Sequence, residues 1–325
     1  MMDVLITGGA GFLGTRLAKA LLARGTLAGP DGRQQPISTL TLLDLAAPAA
    51  IDDPRVRVVT GDISDPAVIR SALTADTASV FHLAAVVSGQ AEADFELGMR
   101  INFDATRLIL DCAREHGKRP RVVFTSSVAV FGGPLPQQVK DSTVATPQSS
   151  YGAQKLMGEI LVTDYSRKGF IDGRTLRMPT ICVRPGVPNK AASSFASGII
   201  REPLNDQPAV CPVAPETPMW VMSPRKAIEG LIHGHEIDGE RLGATRTLNM
   251  PGLATTVRDM VGALEKVAGA NVVARIRWEP DAAVIRIVNS WPGNFDAARA
   301  AALGFAADPD FESIVRAHVQ DELGR

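Results

Sequence analysis

The stretch Thr7-Gly8-Gly9-Ala10-Gly11-Phe12-Leu13-Gly14 constrains the fold more than any other in the chain. It follows a short β-branched run at residues 4–7 and opens a segment with helical apolar spacing at residues 12–24. Gly8, Gly11 and Gly14 stand with two residues between each pair. Glycine there permits a tight turn, lets backbone approach a pyrophosphate, and allows the helix to pack close to the strand. The helix start adds unpaired N–H groups and a positive dipole end. Strand, glycine turn and helix in this order predict a dinucleotide cradle made by Gly8, Gly11, Phe12, Leu13 and Gly14.

Strand-like runs recur at residues 39–44, 56–60, 79–83 and 121–126, mostly apolar throughout, as suits parallel strands covered on both faces. Helical patterns fall at 66–73, 92–116 and 149–168. The alternation predicts an α/β fold, a doubly wound parallel Rossmann sheet. Residues 25–38 read as a surface excursion, because polar, Gly- and Pro-containing sequence lengthens the connection. Beyond Arg177 the rhythm changes. Residues 182–221 predict loops and short elements over the sheet's carboxyl edge. A helix at 223–236, a strand at 246–249, and helices at 257–267 and 309–322 flanking a strand at 272–278 complete the reading. The expected partition is a nucleotide-binding domain of residues 1–181 with 222–249, and a smaller α/β substrate-binding region of residues 182–221 with 250–325.

Composition narrows the partners. Lys+Arg (34) and Asp+Glu (35) nearly cancel and no basic tract stands out, which argues against nucleic acid or a polybasic membrane contact. No apolar run reaches the roughly eighteen residues that a membrane span needs. Cys112, Cys182 and Cys211 are odd in number, widely spaced and without metal-ligand spacing. They fit buried thiols in a reducing cytoplasm, and no metal is expected. The N-terminus lacks a basic leader pattern and reads directly as a strand.

Three further features carry chemistry. Asp44 closes the second strand, where a carboxylate would accept from the adenosine ribose hydroxyls and repel a 2′-phosphate. Residues 45–50 hold no arginine or lysine, so NAD is favoured over NADP. Asp62 and Ile63 end the third strand, where the carboxylate could meet the adenine amino group or cap a helix. His82 reads as a core histidine, and Leu83-Ala84-Ala85 after it would let backbone approach the cofactor. Tyr151 and Lys155 stand four residues apart, hence on one helix face. A phenol with a pKa of about 10 is a poor base near neutrality, and a neighbouring ammonium lowers it. Such a pair can take a proton from an alcohol.

In this order the pieces resemble the extended short-chain dehydrogenase/reductase family over essentially the whole chain: the glycine loop, Asp44, Gly61-Asp62-Ile63, His82-Leu83-Ala84-Ala85, Ser126-Ser127-Val128-Ala129-Val130-Phe131-Gly132 and Tyr151-Gly152-Ala153-Gln154-Lys155. The resemblance implies NAD as cofactor, Ser127 as catalytic serine with Ser126 as competing choice, Tyr151 as proton-transfer residue, and Lys155 on the nicotinamide ribose. It further implies that Asn102 supports the cofactor site, that Pro179 and Ile181 pack against the nicotinamide, and that two chains dimerise through the helices at 92–116 and 149–168. A serine hydroxyl also suits the chemistry, since it can donate to a substrate oxygen gaining negative charge. Phe131 departs from the family's more usual tyrosine. No acidic residue stands beside Ser127, which argues against a dehydratase.

Residues 86–94, 193–198, 209–214 and 290–293 resemble those of a sugar-acid dehydrogenase within the family, which implies oxidation of a four-carbon hydroxy acid. Its carboxylate needs a cation. Arg184, Lys190, Arg201, Arg225 and Arg286 are the candidates, with Arg184 and Arg286 preferred. Ser88, Ser193 and Ser194 would line the pocket with hydroxyls, while Trp220 and Trp291 read as packing residues. A nucleotide-sugar epimerase and a non-catalytic NAD sensor are the alternatives. The intact serine, tyrosine and lysine count against the sensor.

Overall fold

The computed structural model describes residues 2–186 and 191–325. Seven parallel strands form the main sheet, in the order Thr247–Asn249, Asp172–Met178, Arg121–Ser127, Thr77–His82, Met2–Thr7, Gln34–Asp44 and Val56–Thr60. The order reverses beside Met2–Thr7, which sits between Gln34–Asp44 and Thr77–His82, and a crevice opens at such a switch point.

Side chains alternate across the pleat, so the apolar strands feed two cores. Val4, Ile6, Leu40, Leu42, Phe81 and Val123 face the helices Phe12–Arg24 and Pro224–Glu236. Leu5, Leu43, Val80, Val122 and Phe124 face Pro66–Ala72, Ala105–His116 and Ser150–Arg167. A third core joins Ser194–Leu204, Val257–Ala268 and Phe311–Leu323. Beside it stand a three-stranded sheet of Leu253–Thr256, Pro218–Met222 and Thr180–Ile181, and the pair Ala209–Cys211 with Ile276–Trp278. Ala300, Leu303 and Phe305, expected with the substrate-binding region, pack instead into the core of the main sheet.

Three local expectations change. Residues 25–38 are a β-hairpin: Thr26–Ala28 pairs antiparallel with the start of Gln34–Asp44. Glu236 ties it down by accepting from Ala28 N–H (3.0 Å), Arg24 and Gln34. The helix expected at 92–116 starts earlier, as Ser88–Ala93, breaks at Asp94, and passes through a π-helical segment, Met99–Asp104, before Ala105–His116. Residues 272–278 divide into a short helix, Ala270–Val273, and the strand Ile276–Trp278. Among the described residues no helix is long and apolar enough to cross a membrane.

Candidate active site

A cavity of about 640 Å³ opens at the carboxyl ends of the strands. Gly8, Gly11, Phe12, Leu13 and Gly14 line it where Met2–Thr7 turns into the first helix. The backbone there has no room for side chains. Gly8 has φ +73°, and a Cβ on it would lie 2.9 Å from the Ala84 nitrogen. One on Gly14 would strike the Gly8 carbonyl oxygen. The first helix carries no side-chain cap at Gly11, which leaves its leading N–H groups for a phosphate.

Asp44 lines the same cavity and is fixed by backbone: Ala10 N–H donates to Oδ2 (3.0 Å) and Leu45 N–H to Oδ1 (2.7 Å). Asp62 and Ile63 line it on the outer side of the sheet. The Asp62 carboxylate accepts from Ser64 N–H (2.8 Å), the Ser64 hydroxyl (2.7 Å) and Arg100 (2.9 Å). Capping of the following helix falls to Asp65 rather than Asp62. Leu83, Ala84 and Ala85 also reach the cavity, as do Pro179 and Ile181 on the opposite flank. Asn102 does not line it. From inside the π turn its amide accepts from Val86 N–H (2.8 Å) and donates to Val86 O (3.0 Å) and Gln154 (2.8 Å), so it holds a loop that lines the cavity.

Ser126, Ser127, Tyr151 and Lys155 meet in the cavity wall. Successive strand residues point to opposite faces, and that separates the serines. Ser126 donates to Glu159 at 2.5 Å, whereas Ser127 Oγ accepts from Ala129 N–H (3.1 Å) and acts on the Tyr151 phenol. Ser149 caps the helix that carries the pair, accepting from Gly152 N–H, and Gly152 packs tightly under the Ala129 carbonyl. Burial pushes the Tyr151 phenol above its usual value, opposed first by the Arg184 guanidinium and then by the Ser127 hydroxyl. Burial also lowers Lys155 to about 7, opposed by Glu159. Lys155 Nζ sits 5.8 Å from the Tyr151 ring centroid and 4.8 Å from that of Phe124. His82 is buried between Thr7 (2.7 Å) and Thr106 (2.9 Å), and burial, then Lys155, lowers it to about 3.

Of the expected cations, Arg184 lines the cavity, with Nε donating to Ile181 O (3.1 Å). Arg286 is exposed on the helix Ala282–Val288 and lines none of it, which separates the preferred pair. Arg201 is buried against Glu202 and the Arg184 carbonyl oxygen, Arg225 pairs with Asp321 at the surface, and Lys190 lies outside the described residues. Ser88 and Ser193 line the cavity, and Ser88 Oγ accepts from Ala192 N–H (3.3 Å). Ser194, which begins the next helix, does not line it. Trp220 packs on Phe295 in a core, but Trp291 reaches the cavity. Glu159 and Arg177 stand directly behind Ser126 and escaped the sequence reading. Glu159 follows Lys155 by one helical turn, a spacing that extends the Tyr151–Lys155 stripe. Arg177 and Trp291 carry no such local signal, because strand pairing and domain packing bring them in.

The model of the NAD dependent epimerase/dehydratase family matches residues 4–218. The chain belongs to this family. Within the NAD dependent epimerase/dehydratase family it is 61% identical over 320 residues to D-erythronate dehydrogenase of Cupriavidus necator, covering 98% of each chain. It is 45% identical to D-erythronate dehydrogenase of Haemophilus influenzae, covering 99% of this chain and all of the other. A solved structure described as a nucleoside-diphosphate-sugar epimerase from Agrobacterium tumefaciens superposes with a TM-score of 0.92 at 46% identity, covering 99% of this chain and 95% of that one. NAD is the cofactor of the family, and the glycine cradle with Asp44 suits its pyrophosphate and ribose.

Proposed function

We propose that this protein oxidises D-erythronate to 2-dehydro-D-erythronate with NAD. One observation carries the chemistry: Ser127, Tyr151, Lys155 and the half-buried Arg184 line one cavity with the glycine cradle. The likeness to two D-erythronate dehydrogenases supports the substrate.

NAD, when bound, supplies the hydride acceptor. Gly8, Gly11, Phe12, Leu13 and Gly14 would hold its pyrophosphate, Asp44 its adenosine ribose, and Asp62 and Ile63 its adenine. Leu83, Ala84, Ala85, Pro179 and Ile181 flank the rest, and Asn102 supports it through Val86. Lys155 would hold the nicotinamide ribose. The Tyr151 phenolate takes the substrate hydroxyl proton as the carbon gives up its hydride, and Ser127 donates to the substrate oxygen. Arg184 holds the carboxylate, and Ser88 and Ser193 hydrogen-bond the remaining hydroxyls. Residues 1–181 with 222–249 bind cofactor and carry Ser88, Ser127 and Tyr151; residues 182–221 with 250–325 add Arg184 and Ser193 to the substrate site.

The protein works as a homodimer in the cytoplasm. Phe95 (57% exposed) and Ile160 (61%) stand on the helices expected to pair, which supports the dimer. Light scattering that finds a monomer at micromolar concentration overturns the assembly, and activity confined to a membrane or periplasmic fraction overturns the location. For the reaction, purified protein is mixed with NAD and a panel of aldonates and nucleotide sugars while NADH absorbance is followed. NADH from D-erythronate supports the proposal. Turnover of a nucleotide sugar without net NADH, and none from any four-carbon acid, replaces it with an epimerase.

A further inference from the structure

Behind the reacting groups lies an ion pair that the proposed proton transfer does not use. Arg177 grips Glu159 with two arms, Nη2 to Oε2 at 2.7 Å and Nε to Oε1 at 2.9 Å. Ser126 adds a hydrogen bond at 2.5 Å, and Arg177 stacks over Phe131 at 4.7 Å and reaches Asn249. Both charges are nearly buried, at 4% and 10% side-chain exposure. Stability alone is a weak reason for such a pair, since well-packed apolar residues commonly serve as well. Its position is more telling. Glu159 lies one helical turn beyond Lys155 and two beyond Tyr151, on the same face.

We infer that Glu159, held in place by Arg177 and Ser126, is a positioning residue of the proton-transfer pair: its carboxylate keeps Lys155 an ammonium, and so keeps Tyr151 able to accept a proton. The inference rests on the proposed function. The pair accepts the alcohol's proton only as phenolate beside ammonium. That form carries as many protons as its inactive tautomer, phenol beside free amine, so the two interconvert without any change of pH. Turnover rises as the fully protonated pair loses its first proton, and the plateau depends on where the remaining proton sits. Burial drives both groups towards their neutral forms. Glu159 is the group that opposes this at Lys155, as Arg184 opposes it at Tyr151.

The other charged or titratable groups around the pair do not take over this task. His82, on the neighbouring strand, is locked between two threonines and stays neutral. Arg177 faces Glu159 and completes the clamp on its carboxylate. Arg184 faces the phenol.

The test is the pH dependence of kcat/KM for D-erythronate oxidation in whole protein with saturating NAD. In Glu159→Gln the acid limb moves to lower pH, because Lys155 gives up its proton more easily. The plateau falls because the remaining proton returns to the phenol. A change of about one pH unit and about tenfold is expected. Glu159→Asp keeps the charge, so its limb stays at the wild-type position even where its melting temperature drops. The double variant Glu159→Met/Arg177→Met leaves no unpaired charge behind, which protects folding, and its limb also moves down. A limb that stays at the wild-type pH in Glu159→Gln or in the double variant overturns the inference, as does one shifted equally in Gln and Asp. Wild-type protein that makes no NADH from any four-carbon acid removes the proposed function and this inference with it. Wild-type turnover with an unmoved limb removes the inference alone.

Discussion

Tyr151 and Lys155 lose charge to the same burial from opposite directions, and the groups that resist it lie one on each side. The phenol has Arg184 and Ser127; the amine has Glu159. Spacing in the sequence brings tyrosine and lysine together but assigns the lowering of the phenol to Lys155. In the fold, Arg184 is the first influence that lowers it. Tyr151→Phe keeps the ring and removes the proton acceptor. Turnover is expected to fall at least about a hundredfold, with NAD affinity by calorimetry unchanged. Full activity in that variant would end the assigned role. Asp44 is bound by two backbone N–H groups and Leu45 beside it is exposed at 73%, so the position is open to redesign. Asp44→Ala with Leu45→Arg removes the repulsion and adds a phosphate partner. The ratio of kcat/KM for NAD over NADP should drop by an order of magnitude or more, about 1.4 kcal/mol per tenfold. An unmoved ratio argues that Asp44 does not read the ribose.

The glycine turn and the helix behind it were legible as an element because each residue's constraint is local. Gly14 shows how tight the fit is, since any side chain there drives into the Gly8 carbonyl. Gly14→Ala is therefore expected to push the first helix off its strand. NAD affinity by titration should weaken more than tenfold and the melting temperature should fall; retained affinity would mean that the turn does not cradle the pyrophosphate. The helix at 92–116 was legible only in part. Its apolar spacing is regular enough to suggest one rod, yet Asp94 turns its side chain to cap Phe95–Gly98 and breaks the rod there. The π turn that follows puts Asn102 within reach of Val86 and Gln154, and those partners lie 16 and 52 residues away in sequence. The hairpin at residues 25–38 was hidden for a similar reason. Its strands bury Leu27 and Ile37 in the main core and are tied by Glu236, 208 residues from Ala28, partners that its own polar stretch does not reveal.

At the scale of the whole molecule, three buried histidines link the fold to pH. Burial is the first cause in each case, and lowers His82 to about 3 and His235 and His318 to about 4, from a usual 6.5. Between about pH 4 and 6.5 the unfolded chain therefore binds more protons than the folded one, and stability falls as pH drops through that window. Denaturant unfolding at pH 7 and pH 5 should show the loss, and a His318→Phe variant should show less of it; equal slopes for both proteins would discount His318. The sequence by itself determined the strand–helix alternation, the glycine turn, the carboxylate closing the second strand and the tyrosine–lysine pair. Each is written in a local pattern of residue types a few positions apart, which the backbone geometry of one strand, turn or helix turns into an element. Only the tertiary structure decided which serine faces Tyr151, that Arg184 and not Arg286 reaches the cavity, and that Arg177 and Glu159 stand behind it. Those contacts join strands and domains far apart along the chain, and a charge in a sequence carries no mark of what will bury it.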